Sequence, residues 1–322
     1  MAPARRDGER RPAVRTDALA GAIAGAVSRL VTQPLDVVKI RLQVQVEGAA
    51  SAKGPKYTGA GQALAAVCRE EGLRGLWRGT VPAQLLSVPY TAVQFATIRL
   101  CKDVAGACGV DRERHASAIS FGSGAVAGIA ATLASYPFDL LRTVLAAQGE
   151  PAVYRNMGDA AAATFRKSGV RGLYAGVTPT LVEIVPYAAL QFGLYDAFRR
   201  QWESMSGGMD ADSAAKSFVC GLAAGMLSKA ATHPLDVLKK RYQVAGLPRS
   251  AKYGQRVSGG VRDLTLSRYA VNMFKREGVQ GFYKGLGPSL LKAAPAAGVT
   301  LTAFEVVRIA MDSGAETASR VY

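Results

Sequence analysis

The sequence predicts an all-α integral membrane protein made of three tandem repeats, each about 100 residues long. Three observations carry that prediction. Pro34-Leu-Asp-Val-Val-Lys-Ile-Arg41 recurs as Pro137-Phe-Asp-Leu-Leu-Arg142 and as Pro234-Leu-Asp-Val-Leu-Lys-Lys-Arg241, at spacings of 103 and 97 residues. A second block follows each of these: Glu71-Gly-Leu-Arg-Gly-Leu-Trp-Arg-Gly79, Ser168-Gly-Val-Arg-Gly-Leu-Tyr-Ala-Gly176 and Glu277-Gly-Val-Gln-Gly-Phe-Tyr-Lys-Gly285, spaced by 97 and 109. Finally, a glycine pair (Gly21 and Gly25, Gly124 and Gly128, Gly221 and Gly225) precedes each motif proline in the same register.

Each repeat reads as a long helix, a loop with a short helix, and a second long helix. The first helices, Ala18–Gln43, Ala116–Ala147 and Ser213–Val244, hold the glycine pair and the motif proline. The second helices, Thr80–Val104, Val177–Trp202 and Gly287–Met311, start at the glycine-rich block and contain Pro89, Pro186 and Pro295. Short amphipathic helices fill Gly61–Arg69, Asp159–Lys167 and Leu266–Arg276. The unequal spacings place about a dozen extra residues in the polar stretch Gly246–Asp263, where a surface loop tolerates them.

A helix of about 25 residues spans the roughly 30 Å hydrocarbon layer with length left for tilt, so six crossings fit. Thr80–Ile98 and Ala116–Phe138 are uncharged. The other four segments are interrupted by Arg29, Glu183, Lys229 or Lys292, and a charge inside an apolar helix faces a partner or a wet cavity. A soluble helical array is the other reading, but its repeats run about 20 to 50 residues. The chain divides into an N-terminal tail, 1–16, repeats at 17–110, 111–208 and 209–314, and a C-terminal tail, 315–322. The arginine-rich first tail reads as disordered, with a transit-like role as the alternative.

Composition narrows the function. Forty Lys and Arg against 24 Asp and Glu give a formal charge of +16, while 49% of the 322 residues are hydrophobic. That combination excludes a disordered acidic chain and points to anionic partners: nucleic acid, lipid or metabolite. The four cysteines have no CxxC spacing, and the only histidines are His115 and His233, so no metal site or disulfide framework is expected. Walker A, HExxH, GxSxG and EF-hand patterns are missing, as is the basic-aromatic stripe of a nucleic-acid module. Neither catalysis, a catalytic residue, a cofactor nor a nucleic-acid partner is expected.

The threefold Pro-x-Asp-x-x-[Lys/Arg] motif with its following glycine-aromatic block resembles the mitochondrial carrier family over residues 17 to 312. Within it, Arg142-Thr-Val-Leu-Ala-Ala-Gln-Gly-Glu-Pro-Ala-Val-Tyr154, Val81-Pro-Ala-Gln-Leu-Leu-Ser87 and Ser289-Leu-Leu-Lys-Ala-Ala294 are similar to the thiamine pyrophosphate carriers. The resemblance implies six tilted helices around a pseudo-threefold axis, three short matrix-side helices, and both termini toward the intermembrane space. It also implies one central site opened alternately to either side of the inner membrane.

In each odd helix an acid and a base lie three apart on one face: Asp36 and Lys39, Asp139 and Arg142, Asp236 and Lys239. A pair within one helix is one reading. Around a threefold axis the other is a ring, Asp36 with Arg142, Asp139 with Lys239 and Asp236 with Lys39, that closes the matrix side. Gln43 and Gln243 match the family's glutamine brace, whereas Ala146 stands in the second repeat. At the cytoplasmic side, Arg99, Asp196, Arg199, Glu305 and Arg308 match a second network, with Ala96 where a third acid belongs.

Substrate contacts by resemblance are Leu86, Glu183 and Lys292 with their neighbours Ser87, Ile184 and Ala293. Arg29, Thr132 and Lys229 lie at a similar depth, five residues before the prolines. Three unpaired cations against one carboxylate suit an anion with a cationic end, such as thiamine pyrophosphate: Lys292, Arg29 and Lys229 on the phosphates, Glu183 toward the rings. Tyr90 and Tyr187 either stack on a ring or pack at a kink. Gln33, Tyr136 and His233 are further candidates for the cavity wall, His233 with a structural role as the alternative. Trp77, Arg78 and Gly79, with Tyr283, Lys284 and Gly285, resemble the family's cardiolipin signature, which lacks its cation at Ala175. The expectation is a monomeric carrier exchanging thiamine pyrophosphate for a nucleotide or thiamine phosphate. A carrier of adenine nucleotide or coenzyme A is the alternative.

Overall fold

In a computed structural model, residues 10–46, 56–107, 116–205, 213–247 and 265–321 are described. The first repeat contains α1 (Arg10–Val44), α2 (Ala60–Glu71), a 3-10 turn (Leu73–Trp77), α3 (Thr80–Leu85) and α4 (Ser87–Ala107). The second has α5 (Ala116–Ala147), α6 (Met157–Leu173) and α7 (Val177–Met205). The third has α8 (Ser213–Val244), α9 (Leu266–Phe282), α10 (Leu286–Leu291) and α11 (Ala293–Val321). Two boundaries differ from the sequence reading: α1 begins at Arg10, within the stretch assigned to a tail, and α11 continues to Val321 through most of the other. Most of the third-repeat insertion lies outside the described residues.

The long helices close into a ring. α4 packs on α5, α7 on α8, and α11 on α1, while α1, α5 and α8 also touch one another. Small residues make the close approaches possible: Ala20, Ala24, Ala127, Ala131 and Ala224 are fully buried. Large apolar side chains such as Phe95, Val185, Phe192, Val306 and Ile309 point outward, as a lipid-facing surface requires. Three stretches, Gly122–Ala147, Val177–Met205 and Leu286–Met311, are long and apolar enough to cross a membrane on length and composition alone.

Prolines shape both helix sets. Pro34, Pro137 and Pro234 lie inside α1, α5 and α8. Each lacks the N–H that would bond to the carbonyl four residues back. In α1 the freed Leu30 carbonyl accepts the Trp77 indole N–H at 2.9 Å. Pro89 and Pro295 act the same way on the even helices: α3 ends at Leu85 and α10 at Leu291, each four residues before its proline. The predicted helices Thr80–Val104 and Gly287–Met311 are therefore each interrupted by one missing backbone bond beside Leu86 and Lys292, both of which keep helical dihedrals and bonds on either side.

Candidate functional site

At the proline end the three odd helices converge and their charges meet. Arg142 Nη2 donates to Asp36 Oδ2 at 2.5 Å, Lys239 Nζ lies 3.2 Å from Asp139 Oδ2, and Lys39 Nζ 2.8 Å from Asp236 Oδ2. All three pairs join different helices, so the within-helix alternative is not the arrangement adopted. Gln43 donates to Asp236 at 3.1 Å and Gln243 to Asp139 at 2.9 Å, each lying beneath a pair. Lys240 adds an unforeseen cation, donating to Thr143 Oγ1 at 2.8 Å and Gln243 Oε1 at 3.0 Å, and lying 3.5 Å from Asp139.

Two buried arginines lock this end. Arg41 bonds to Glu71 through both terminal nitrogens and reaches across to the Ala146 and Gln148 carbonyls at the end of α5, at 3.0 and 2.7 Å. Arg241 does the same from α8: its guanidinium bonds Glu277 at 2.6 and 2.8 Å and the Gln43 and Gln45 carbonyls, at and just past the end of α1, at 2.9 and 3.0 Å. Burial pushes the Glu277 carboxyl up, but hydrogen bonds and charge from Arg241 and Lys284 outweigh it and hold the group below its ordinary value. The second repeat has Val144 and Ser168 at these positions and no such clamp. Motif spacing contained this signal, since each arginine follows its proline by seven residues and each glutamate opens the glycine block.

Above the ring, a cavity of about 310 Å³ is lined by Asp36, Lys39, Tyr187, Lys229, Ser289 and Lys292 among others. It brings together Lys229, Lys292, Ala293 and Tyr187 of the sequence candidates. Glu183 joins them through Lys229, 3.1 Å away. The cations are not unpaired, as the sequence suggested. Lys292 Nζ donates to Asp36 Oδ1 and Oδ2 at 2.8 and 2.7 Å, and Lys229 Nζ lies 3.0 Å from Asp236 Oδ2. Asp36, Lys39 and Ser289 were not foreseen as cavity wall.

The remaining candidates lie elsewhere. Arg29 donates to the Ala83 carbonyl at 2.7 Å, fastening α1 to α3, and Thr132 bonds back to Gly128 O within its own helix at 2.7 Å. Leu86, Ser87, Tyr90 and Ile184 are half-buried and do not line this cavity. Gln33, Tyr136 and His233 are buried away from it. Each reaches the loop that starts the even helix of its own repeat: Gln33 to Arg78 O at 3.1 Å, Tyr136 to Ala175 O at 2.8 Å, and His233 Nε2 to Lys284 O at 2.9 Å. A carbonyl only accepts, so Nε2 carries the proton of a neutral His233. The structural alternative is the one His233 takes.

At the opposite end the candidates stay apart. Asp196 and Glu305 are exposed and form no ion pair among the described residues, while Arg199 pairs with Glu203 on its own helix at 3.1 Å. The three odd helices are thus tied to one another at the proline end, while at the other end Lys216 of α8 pairs with Glu203 of α7 at 2.9 Å. In the lipid-signature blocks, Arg78 bonds Glu71, Glu150 and the Gly149 carbonyl, and Lys284 bonds Glu277 at 2.6 Å, so both cations turn toward acids. Beside the first block a groove of about 410 Å³ runs from Trp77–Pro82 to Tyr154–Gly158, where α6 begins.

A six-arm helical barrel with an apolar exterior, a charged cavity and one closed end is the architecture of a membrane solute carrier. The model for "Mitochondrial carrier protein" matches residues 11–107, 113–206 and 210–313, and the chain belongs to that family. Among curated relatives, the maize "Mitochondrial thiamine diphosphate carrier 2" is 49% identical over 311 residues, 90% of this chain and 92% of its own length. The Arabidopsis thaliana "Mitochondrial thiamine diphosphate carrier 1" is 49% identical over 318 residues, with the same coverage. The bovine "Mitochondrial thiamine pyrophosphate carrier" is 40% identical over 293 residues, 90% of each chain. Membership of that family makes the protein a transporter.

Proposed function

We propose that this chain carries thiamine pyrophosphate across the mitochondrial inner membrane, exchanging it for a nucleotide or thiamine phosphate. The observation that carries this reading is the cavity where Lys229 and Lys292 face Tyr187 with Glu183 alongside. Ammonium groups suit a diphosphate, an aromatic face suits a pyrimidine or thiazolium ring, and a carboxylate suits the cationic thiazolium. The names of relatives 40 to 49% identical support it. Glu183 disfavours adenine nucleotide or coenzyme A by repelling polyanions.

Alternating access follows from the two ends. The ring of Asp36, Arg142, Asp139, Lys239, Asp236 and Lys39, with its two glutamine braces, is the matrix gate. Arg99, Asp196, Arg199, Glu305 and Arg308 form the cytoplasmic gate, drawn together only when the ring parts. Both termini face the intermembrane space, and one monomer suffices because the site lies within a single barrel. The groove beside Trp77, Arg78 and Gly79 suits a cardiolipin phosphate, with backbone N–H groups at the start of α6 as donors, and the equivalent block at Tyr283, Lys284 and Gly285 is read the same way.

The test is uptake by liposomes holding the reconstituted protein and preloaded with unlabelled thiamine pyrophosphate. Labelled thiamine pyrophosphate should enter rapidly, and Lys292→Ala should abolish entry. Rapid uptake of labelled ADP or coenzyme A without thiamine pyrophosphate uptake would sink the substrate reading while leaving the carrier intact.

A further inference from the structure

We infer that Lys292 and Lys229 are coupling residues as well as contacts: in the empty carrier each pins a carboxylate of the closed ring, and the phosphate group of an entering substrate draws them off. This rests on the reading that the substrate is a phosphorylated anion held by these lysines.

The ring is not symmetric in how it is braced. Asp236 and Asp139 are each held from beneath by a glutamine, Gln43 and Gln243. The glutamine that would hold the third pair, Asp36 with Arg142, is replaced by the fully buried Ala146. Lys292 stands in for it from the opposite side, with its ammonium against both Asp36 oxygens at 2.8 and 2.7 Å. The joint between α1 and α5 is therefore braced by a residue that belongs to the substrate cavity. Lys229 repeats the arrangement more weakly, sharing Asp236 Oδ2 with Lys39 and dividing itself between that oxygen and Glu183.

An ammonium has three donors, and two of those on Lys292 are spent on Asp36. A diphosphate entering the cavity competes for the same donors with more charge and more acceptor oxygens than one carboxylate. Its binding leaves Asp36 with Arg142 alone. Occupancy and release of the gate thus use the same cations, which keeps an empty barrel shut.

The inference is tested by thermal unfolding of the purified, unliganded protein as wild type, Lys292→Ala, Ala146→Gln and the double variant. Lys292→Ala should lower the melting temperature by about 3 °C or more. Ala146→Gln, which installs the missing brace, should stabilise the Lys292→Ala protein more than it stabilises the wild type. In proteoliposomes Ala146→Gln alone should cut the maximal exchange rate several-fold without raising KM, because substrate cannot remove that brace. An unchanged unliganded melting temperature in Lys292→Ala, equal Ala146→Gln shifts in both backgrounds, or an unslowed Ala146→Gln carrier each overturns the coupling role. Should the side chain introduced by Ala146→Gln fail to pack, an Asp36→Asn and Lys292→Met cycle asks the same question: the Lys292→Met effect should vanish once Asp36 is neutral, and its persistence overturns the pin. A coupled cycle in a protein that takes up no thiamine pyrophosphate upholds the pin and overturns the substrate reading instead.

Discussion

Each carboxylate of the closed ring faces more than one cation: Asp36 meets Arg142 and Lys292, Asp139 meets Lys239 and Lys240, and Asp236 meets Lys39 and Lys229. A buried acid is costly without a partner, and removing one member of such a pair costs about 3–5 kcal/mol. Reversing Lys39 to Asp, or Asp236 to Lys, should therefore abolish exchange in proteoliposomes. The double reversal restores opposite charges but sets the new ammonium beside Lys229, so it should recover only part of the wild-type rate. No recovery at all would remove the case for Lys39 and Asp236 as gate partners. The pairing was one of two readings that the three identical spacings allowed, the other being a pair within each helix, and the threefold axis that distinguishes them came with the family resemblance. The second partners were not legible: Lys229, Lys240 and Lys292 sit on long flexible stems, and residue spacing fixes where such a stem starts but not where its ammonium ends.

At the scale of elements, the three even helices begin at Gly79, Gly176 and Gly285, with φ of 82°, 84° and 79°. At Gly79 a Cβ would lie 2.7 Å from the Arg142 carbonyl, so the loop is pressed against the residue that holds Asp36. Gly72, in the same block, has φ of 69° but open space around it. An alanine at either site bears the strain of a left-handed backbone, of order 1–3 kcal/mol, and only Gly79→Ala adds the clash. Gly79→Ala should thus lower the melting temperature more than Gly72→Ala, and it alone should impair exchange, since relief of the clash moves the Arg142 backbone. Equal effects would mean the loop yields without disturbing the ring. Motif phasing made the starts of these helices readable to within a residue, yet not their ends, with α11 running ten residues past Met311, nor the interruptions at Leu86 and Lys292. Each interruption lies three residues before a proline, and Pro186 in the equivalent place leaves α7 continuous, so the proline alone does not decide it.

For the whole molecule, the threefold repeat made the barrel legible, whereas which end is shut depends on a balance between two networks that no single spacing expresses. The closed end has three interhelical pairs, two glutamines, Lys240 and two arginine clamps. At the other end the motif positions set Asp196 and Glu305 against Arg99, Arg199 and Arg308, because Ala96 occupies the third acidic position, and Glu203 pairs with Arg199 and Lys216. By charge count the empty protein favours the state seen here, with its terminal-bearing end open. Ala96→Glu supplies the missing acid, and it touches neither the cavity nor the ring. One exposed pair contributes up to about 1 kcal/mol, which shifts a two-state ratio by about fivefold. The measurement is labelling of Ser289→Cys, a cavity-lining position, by a membrane-impermeant thiol reagent applied to proteoliposomes, in a background freed of its four native cysteines. Labelling from the terminal-bearing side should fall when Ala96→Glu is added, and labelling from the other side should rise. If both rates stay unchanged, the unequal number of pairs does not set the resting state, and the buried clamps of Arg41 and Arg241 must hold the barrel shut whatever charges are added at its far end.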